Sequence, residues 1–215
     1  LPFIAFPRAL QNPGNYDLCG TFIGRRVVDY KDDSGPSDGS VVYRIRQDWE
    51  EGVFDERYQR FVNGACAPYA AGLILGAWSD EMYENSVDGL VKRLVADAAK
   101  LPRLKALFLP EVIQEENEMS WIIQGDVSPL LAAFPGLELL RTRGGQGLEL
   151  THNRHDTLRA LALETGGMDV GVVRQVVRPI AVHVRPDERP GEPLADEVVG
   201  PRRTEQRPVR TFVHQ

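Results

Sequence analysis

Two cysteines in 215 residues, Cys19 and Cys66, are too few to staple a fold, which excludes a disulfide scaffold and fits two reduced thiols in a cytoplasm. Long apolar runs are equally scarce. The longest, Cys66 to Trp78, has 13 residues and contains Pro68 and two glycines, short of the ~20 apolar residues that cross a bilayer. The opening LPFIAFPRAL is broken by Pro2 and Pro7 and has no basic region before it, so no secretion signal is read. Basic charge is also in deficit: 25 basic against 31 acidic residues give 25 − 31 = −6, which disfavours nonspecific attraction to nucleic acid or anionic lipid. No G-x-S-x-G elbow, P-loop, HExxH or CxxC occurs. Nucleophilic, phosphoryl-transfer and metalloprotease chemistry therefore have no local support, and no cofactor is expected.

What the chain does have is a repeat. Leu104-Lys105-Ala106-Leu107-Phe108-Leu109 and Leu158-Arg159-Ala160-Leu161-Ala162-Leu163 both read L-x-x-L-x-L, and looser copies lie at Ala70 to Leu75 and Leu137 to Thr142. The middle leucines are Leu73, Leu107, Leu140 and Leu161. In an extended segment alternate side chains face opposite sides, so each copy presents a leucine row that it cannot bury alone. Parallel copies stacked side by side share one core. The segments between them read as short amphipathic helices: Val87, Leu90, Val91, Leu94 and Val95 behind Ser86, then Leu130, Leu131 and Phe134 behind Ser128-Pro129 and before Pro135-Gly136. A further stripe over Met168 to Val177 follows Gly166-Gly167.

These features predict an α/β fold: a leucine-rich-repeat solenoid with a parallel sheet and helices on its convex side. Residues 66–177 form the repeats. Residues 21–65, with a strand over Val41 to Ile45 and a helical stripe from Val53 to Val62, form an N-terminal α/β cap that protects the first strand. Residues 1–20 are an extra leader. Residues 178–215, with six prolines and seven arginines, are a weakly ordered tail without strand or helix periodicity beyond Val184.

The stretches VVDY, VVYRIRQDWE, AGLILGAW, LPRLKALFLPEV, SWIIQGDVSPLLAAFPGLELL, RGGQGLEL and LRALALETGG together resemble a bacterial leucine-rich-repeat family of uncharacterised function, from about Phe22 to Val177. The resemblance implies a leucine-rich-repeat fold and a cytoplasmic setting, and brings no catalytic residues to transfer. It also implies further repeats where this chain turns to proline and arginine, so the array looks cut short.

Each candidate chemical cluster has a plainer reading. His152, His155 and Asp156 lack a remote partner to complete a metal set and read as a polar turn. Gly144-Gly145-Gln146-Gly147 precedes strand-like Leu148-Glu149-Leu150 rather than a helix, so it reads as a tight turn and not a phosphate cradle. Glu111, Glu115, Glu116 and Glu118 crowd one connection and read as a solvated acidic loop, or as a docking face for a basic partner. Trp78 and Trp121 read as core or cap residues placed near a rim.

The expected working surface is the row of strand residues that alternates with the buried leucines. It runs through Ile74, Phe108 and Leu139 as an apolar stripe, with Arg141, Arg143 and Glu164 beside it, on the concave face that such folds use for binding. The function predicted from sequence is a non-enzymatic scaffold that binds a protein, with neither nucleic acid nor membrane as a partner. The alternative is an enzyme or metal- or cofactor-dependent accessory protein with a dispersed site around the Glu111–Glu118 loop, Arg141, Arg143 and His155.

Overall fold

A computed structural model describes residues 17–33, 35–47, 53–79, 81–151 and 155–165, and the backbone of 210–214. Eight strands stand in chain order: β1 (Thr21–Phe22), β2 (Arg25–Asp29), β3 (Val42–Ile45), β4 (Gly72–Gly76), β5 (Ala106–Glu111), β6 (Leu139–Arg143), β7 (Ala160–Glu164) and β8 (Arg210–His214). β1 pairs with β2 antiparallel, and every later pair is parallel. The parallel strands curl into a half-barrel.

The leucines occupy one rung. Leu73 stands opposite Leu107, Leu107 opposite Leu140 and Leu140 opposite Leu161, and all four are fully buried. Tyr43 of β3 extends the rung at one end and the backbone of Thr211 at the other. Parallel strands cannot be joined by tight hairpins. Here the return paths carry the predicted helices α1 (Phe54–Asn63), α2 (Asp88–Ala96) and α3 (Ser128–Ala133). Their buried residues, Phe54, Tyr58 and Phe61, Leu90 and Leu94, and Leu130 and Leu131, join the leucine rung in one core. The predicted capping roles shift by a residue or two: Ser86 Oγ accepts the Asp88 N–H, and Asp126 Oδ1 accepts the Ser128 N–H.

The connection between β6 and β7 is irregular. Gly144 and Gly147 take positive φ, 157° and 66°, in the expected turn, and single parallel bridges tie Gln146 within it to Ile123 and Glu149 beyond it to Asp126. The described residues that follow directly, 148–151, are not helical.

In the tail, whose sequence shows no strand periodicity beyond Val184, Arg210–His214 forms β8 against β7. The physical reason is the open edge of β7, whose unpaired N–H and C=O groups accept any extended segment of suitable alternation. The predicted stripe over Met168 to Val177, and residues 178–209, lie outside the described residues. Among the described residues no helix is long and apolar enough to cross a membrane.

Candidate functional site

The second face of the sheet is built by the residues out of phase with the leucines. At the N-terminal ends of the strands it is apolar, with Val42, Ala106, Leu139 and Ala160 in one cluster with Ile74 and Phe108. Toward the C-terminal ends it becomes charged, through Arg44, Arg141, Arg143 and Glu164, joined by Glu111 beyond a register shift in β5. The six residues predicted to form a binding surface are therefore brought together on one face, but they do not form an open one. Ile74, Phe108 and Leu139 have no exposed surface, Arg141 and Arg143 are 2% exposed, and the Glu164 side chain is 12% exposed.

The reason is the segment around β1 and β2. Cys19 and Phe22 belong to the same buried cluster, with Ile23 and Val27 packed against it. The Phe22 and Phe108 ring centroids lie 6.2 Å apart. Gly72 leaves room for this lead-in, since a Cβ there would meet Val42 Cγ2 at 2.8 Å and Ile23 Cδ1 at 3.0 Å.

Charge holds the lead-in down as well. Arg44 Nε donates to Glu111 Oε2 at 2.5 Å, Arg44 Nη2 donates to the Cys19 carbonyl, and the Cys19 N–H donates to Glu111 Oε1 at 2.8 Å. Asp29 closes the arrangement on Arg44 Nη1 at 3.0 Å. A buried carboxylate is tolerated when its oxygens accept charged and backbone donors, as both oxygens of Glu111 do. A register shift between β4 and β5 sets Glu111 opposite Gly76. Burial first, and the Glu111 charge second, push the Cys19 thiol up to about 12.

Cys19 in the native chain is therefore expected to react with iodoacetamide at pH 8 on the order of a thousandfold more slowly than an ordinary thiol, from its smaller thiolate fraction. Peptide mass spectrometry reads this directly. Labelling of Cys19 at the rate of a free thiol would show that the lead-in does not sit on the sheet.

Beside it lies a second charged group. Arg141 and Arg143 donate through Nε to Glu164 Oε1 and Oε2, each at 2.8 Å, and Arg143 Nη1 donates to the Val112 carbonyl at 2.6 Å. Both guanidinium groups lie over the Phe108 ring, at 4.3 and 5.5 Å from its centroid. The carboxylate thus bridges two cations that both lie over one aromatic ring.

The alternative site does not assemble. Glu111 is consumed by Arg44, and Arg141 and Arg143 by Glu164. His155 sits before β7, its Nδ1 accepting the Leu158 N–H at 3.0 Å and its Nε2 2.9 Å from the Phe134 carbonyl, which precedes β6. It is thus at the N-terminal ends of the strands, whereas Glu115, Glu116 and Glu118 follow the C-terminal end of β5. His152 lies outside the described residues, and among those described no group of three His, Cys, Asp or Glu side chains is placed to hold a metal.

The rim at the C-terminal strand ends, where ligands of open α/β sheets bind, is open. The loops after β4, β5 and β6 converge there on a cleft of about 710 Å³ lined by Tyr83, Gln114–Glu118, Trp121 and Gln146. Tyr83 is 55% and Trp121 57% exposed. Sequence reasoning placed Trp121 near a rim but missed Tyr83, which sits in a short polar stretch with no periodicity to betray it.

No protein-family model and no curated protein matches the sequence. Among solved structures, the crystal structure of a protein from Bacteroides fragilis is similar, with 23% identity and a TM-score of 0.55 over 62% of this chain. This chain spans 38% of that protein's length, and the likeness is one of fold alone.

Proposed function

We propose that this chain is a non-enzymatic, cytoplasmic protein-binding scaffold of the leucine-rich-repeat type, and that its partner docks on the rim cleft rather than on the strand face. The observation that carries the docking site is the contrast between the two surfaces. The strand face is filled by the lead-in and by internally paired charges, while two large aromatic rings stand half-exposed at the rim. Aromatic side chains in that situation are typical binding anchors, offering large contact area at small entropic cost. In-register leucines on successive parallel strands, each copy unable to bury its row alone, support the repeat reading. Two free, buried cysteines are in keeping with a reducing compartment.

A photoreactive benzoylphenylalanine placed at position 121, in cells carrying the gene, is expected to form a discrete protein adduct that the same residue at exposed position 92 on α2 does not. Tyr83→Ala combined with Trp121→Ala should lower recovery of that partner at least ~10-fold, the scale of two interface anchors, with thermal stability unchanged. Equal adducts at 92 and 121, or full recovery by the double variant, would move docking away from the rim.

A further inference from the structure

The cleft that carries the proposed docking has a particular chemistry. Glu115 and Glu118 are exposed, and among the described residues no cation pairs with either. Glu116 does have a cation: its carboxylate binds the Arg46 guanidinium and accepts the Ile113 N–H at 3.1 Å. The loop therefore already holds one arginine from its own chain while keeping two carboxylates free. Asn117, 9% exposed on the cleft wall, has a buried Nδ2 with no hydrogen-bond partner. A buried amide donor without an acceptor is uncommon in a folded protein and points to a ligand that brings one.

An acceptor for an amide, cations for two carboxylates and a flat cationic or apolar surface for two rings are found together in one kind of ligand. We infer that the rim cleft takes an extended basic segment of a partner protein, its arginine or lysine side chains set against Tyr83 and Trp121 and paired with Glu115 and Glu118, with a peptide carbonyl meeting Asn117. A guanidinium suits the site best, because it stacks on aromatic faces and pairs with carboxylates at the same time. The net charge of −6 draws such a segment in from a distance. This inference rests on the rim reading and names its occupant.

The test titrates the full chain against a fluorescent nonapeptide of alternating arginine and glycine, and against matched peptides with citrulline or glutamate in place of arginine. The arginine peptide is expected to bind, more weakly by at least ~5-fold when salt rises from 50 to 300 mM as exposed charges are screened. Citrulline should weaken it by at least ~10-fold and glutamate should abolish binding, since carboxylates facing carboxylates repel. Trp121→Ala should cost about tenfold, and so should Glu115→Gln with Glu118→Gln. Asp38→Asn with Glu56→Gln removes the same two charges elsewhere and should have little effect.

Equal binding of the citrulline peptide, still dependent on Trp121, would overturn the basic-segment inference and leave rim docking standing. The same loss in the Asp38/Glu56 pair as in the Glu115/Glu118 pair would reduce the interaction to net charge and overturn it too. Binding of the arginine peptide that ignores both Tyr83→Ala and Trp121→Ala would overturn the inference and the rim reading together. If the arginine peptide does not bind at all, the inference fails, while crosslinking from position 121 still decides the rim.

Discussion

Leu107→Ala is expected to lower the unfolding free energy by about 2–5 kcal/mol, the range for a leucine truncated in a packed core. Leu107 has no exposed surface and stands between Leu73 on β4 and Leu140 on β6. Truncation leaves a cavity that two rigid neighbouring strands cannot close. In a chain of this size the midpoint of thermal unfolding should fall by roughly 4–20 °C. Lys105→Ala, two residues away, removes a half-exposed side chain whose Nζ meets Oε1 of the buried Glu138 at 2.6 Å; the cost should be about 1 kcal/mol, because the Lys105 end is solvated and Glu138 keeps Arg159 at 3.7 Å. Its backbone N–H and carbonyl, which bond to Ala71 and to Glu138 and Leu139, remain in place. The contrast reads the rung itself: equal destabilisation by the two changes, measured by denaturant titration, would contradict the register.

That rung was legible in the sequence because a two-residue alternation and a 3.6-residue stripe are local signals, complete within one strand or one helix. Leu73, Leu107, Leu140 and Leu161 announce a shared face, and Leu90, Leu94, Leu130 and Leu131 announce the helices that cover it. The fate of the opposite face was not legible. An alternating row of Ile74, Phe108 and Leu139 reads the same whether it meets a partner, water or another part of the chain. The contact that decides joins Cys19 to Glu111, 92 residues apart, and nothing local encodes it. Charge misled in the same way. Arginine and glutamate are rarely buried unless paired, and the pairs Arg44 with Glu111 and Arg141 and Arg143 with Glu164 form only across strands. One signal was available: Arg44 is out of phase with Tyr43 and Ile45, which places it on the same side as Phe108. The burial also changes which substitutions are informative. Phe108→Ala and Arg141→Ala, natural choices for an exposed binding patch, would disturb a core.

Glu164→Gln should be among the most damaging single substitutions in the chain, at about 3–5 kcal/mol near neutral pH, because it leaves two buried guanidinium groups without their counter-charge. Arg141 already has one nitrogen, Nη1, without a partner, so the group has little slack. The pH dependence identifies the mechanism. Burial pushes the Glu164 carboxyl up, but Arg141 and Arg143, by charge and hydrogen bonding, outweigh it and hold it below the usual glutamate range. In the unfolded chain the same carboxyl titrates near ~4.3. A folded value below the unfolded one means that the unfolded state takes up the proton first as pH falls. Its contribution is thus complete above the unfolded value and is lost as pH descends from there through the folded value. Stability of the parent chain, followed by urea denaturation from pH 6 downward, should therefore decline more steeply than that of Glu164→Gln, whose amide does not titrate. Replacing all three residues by apolar ones of similar volume, Arg141→Met, Arg143→Met and Glu164→Leu, should recover much of the loss, since a buried ion group is often no more stable than packed hydrocarbon. An unchanged acid limb in Glu164→Gln would mean that the carboxylate is solvated and the strand face open at its charged end. Retention of that limb's difference, together with unaltered arginine-peptide binding at the rim by the apolar triple variant, would separate a face that holds the fold from an edge that meets the partner.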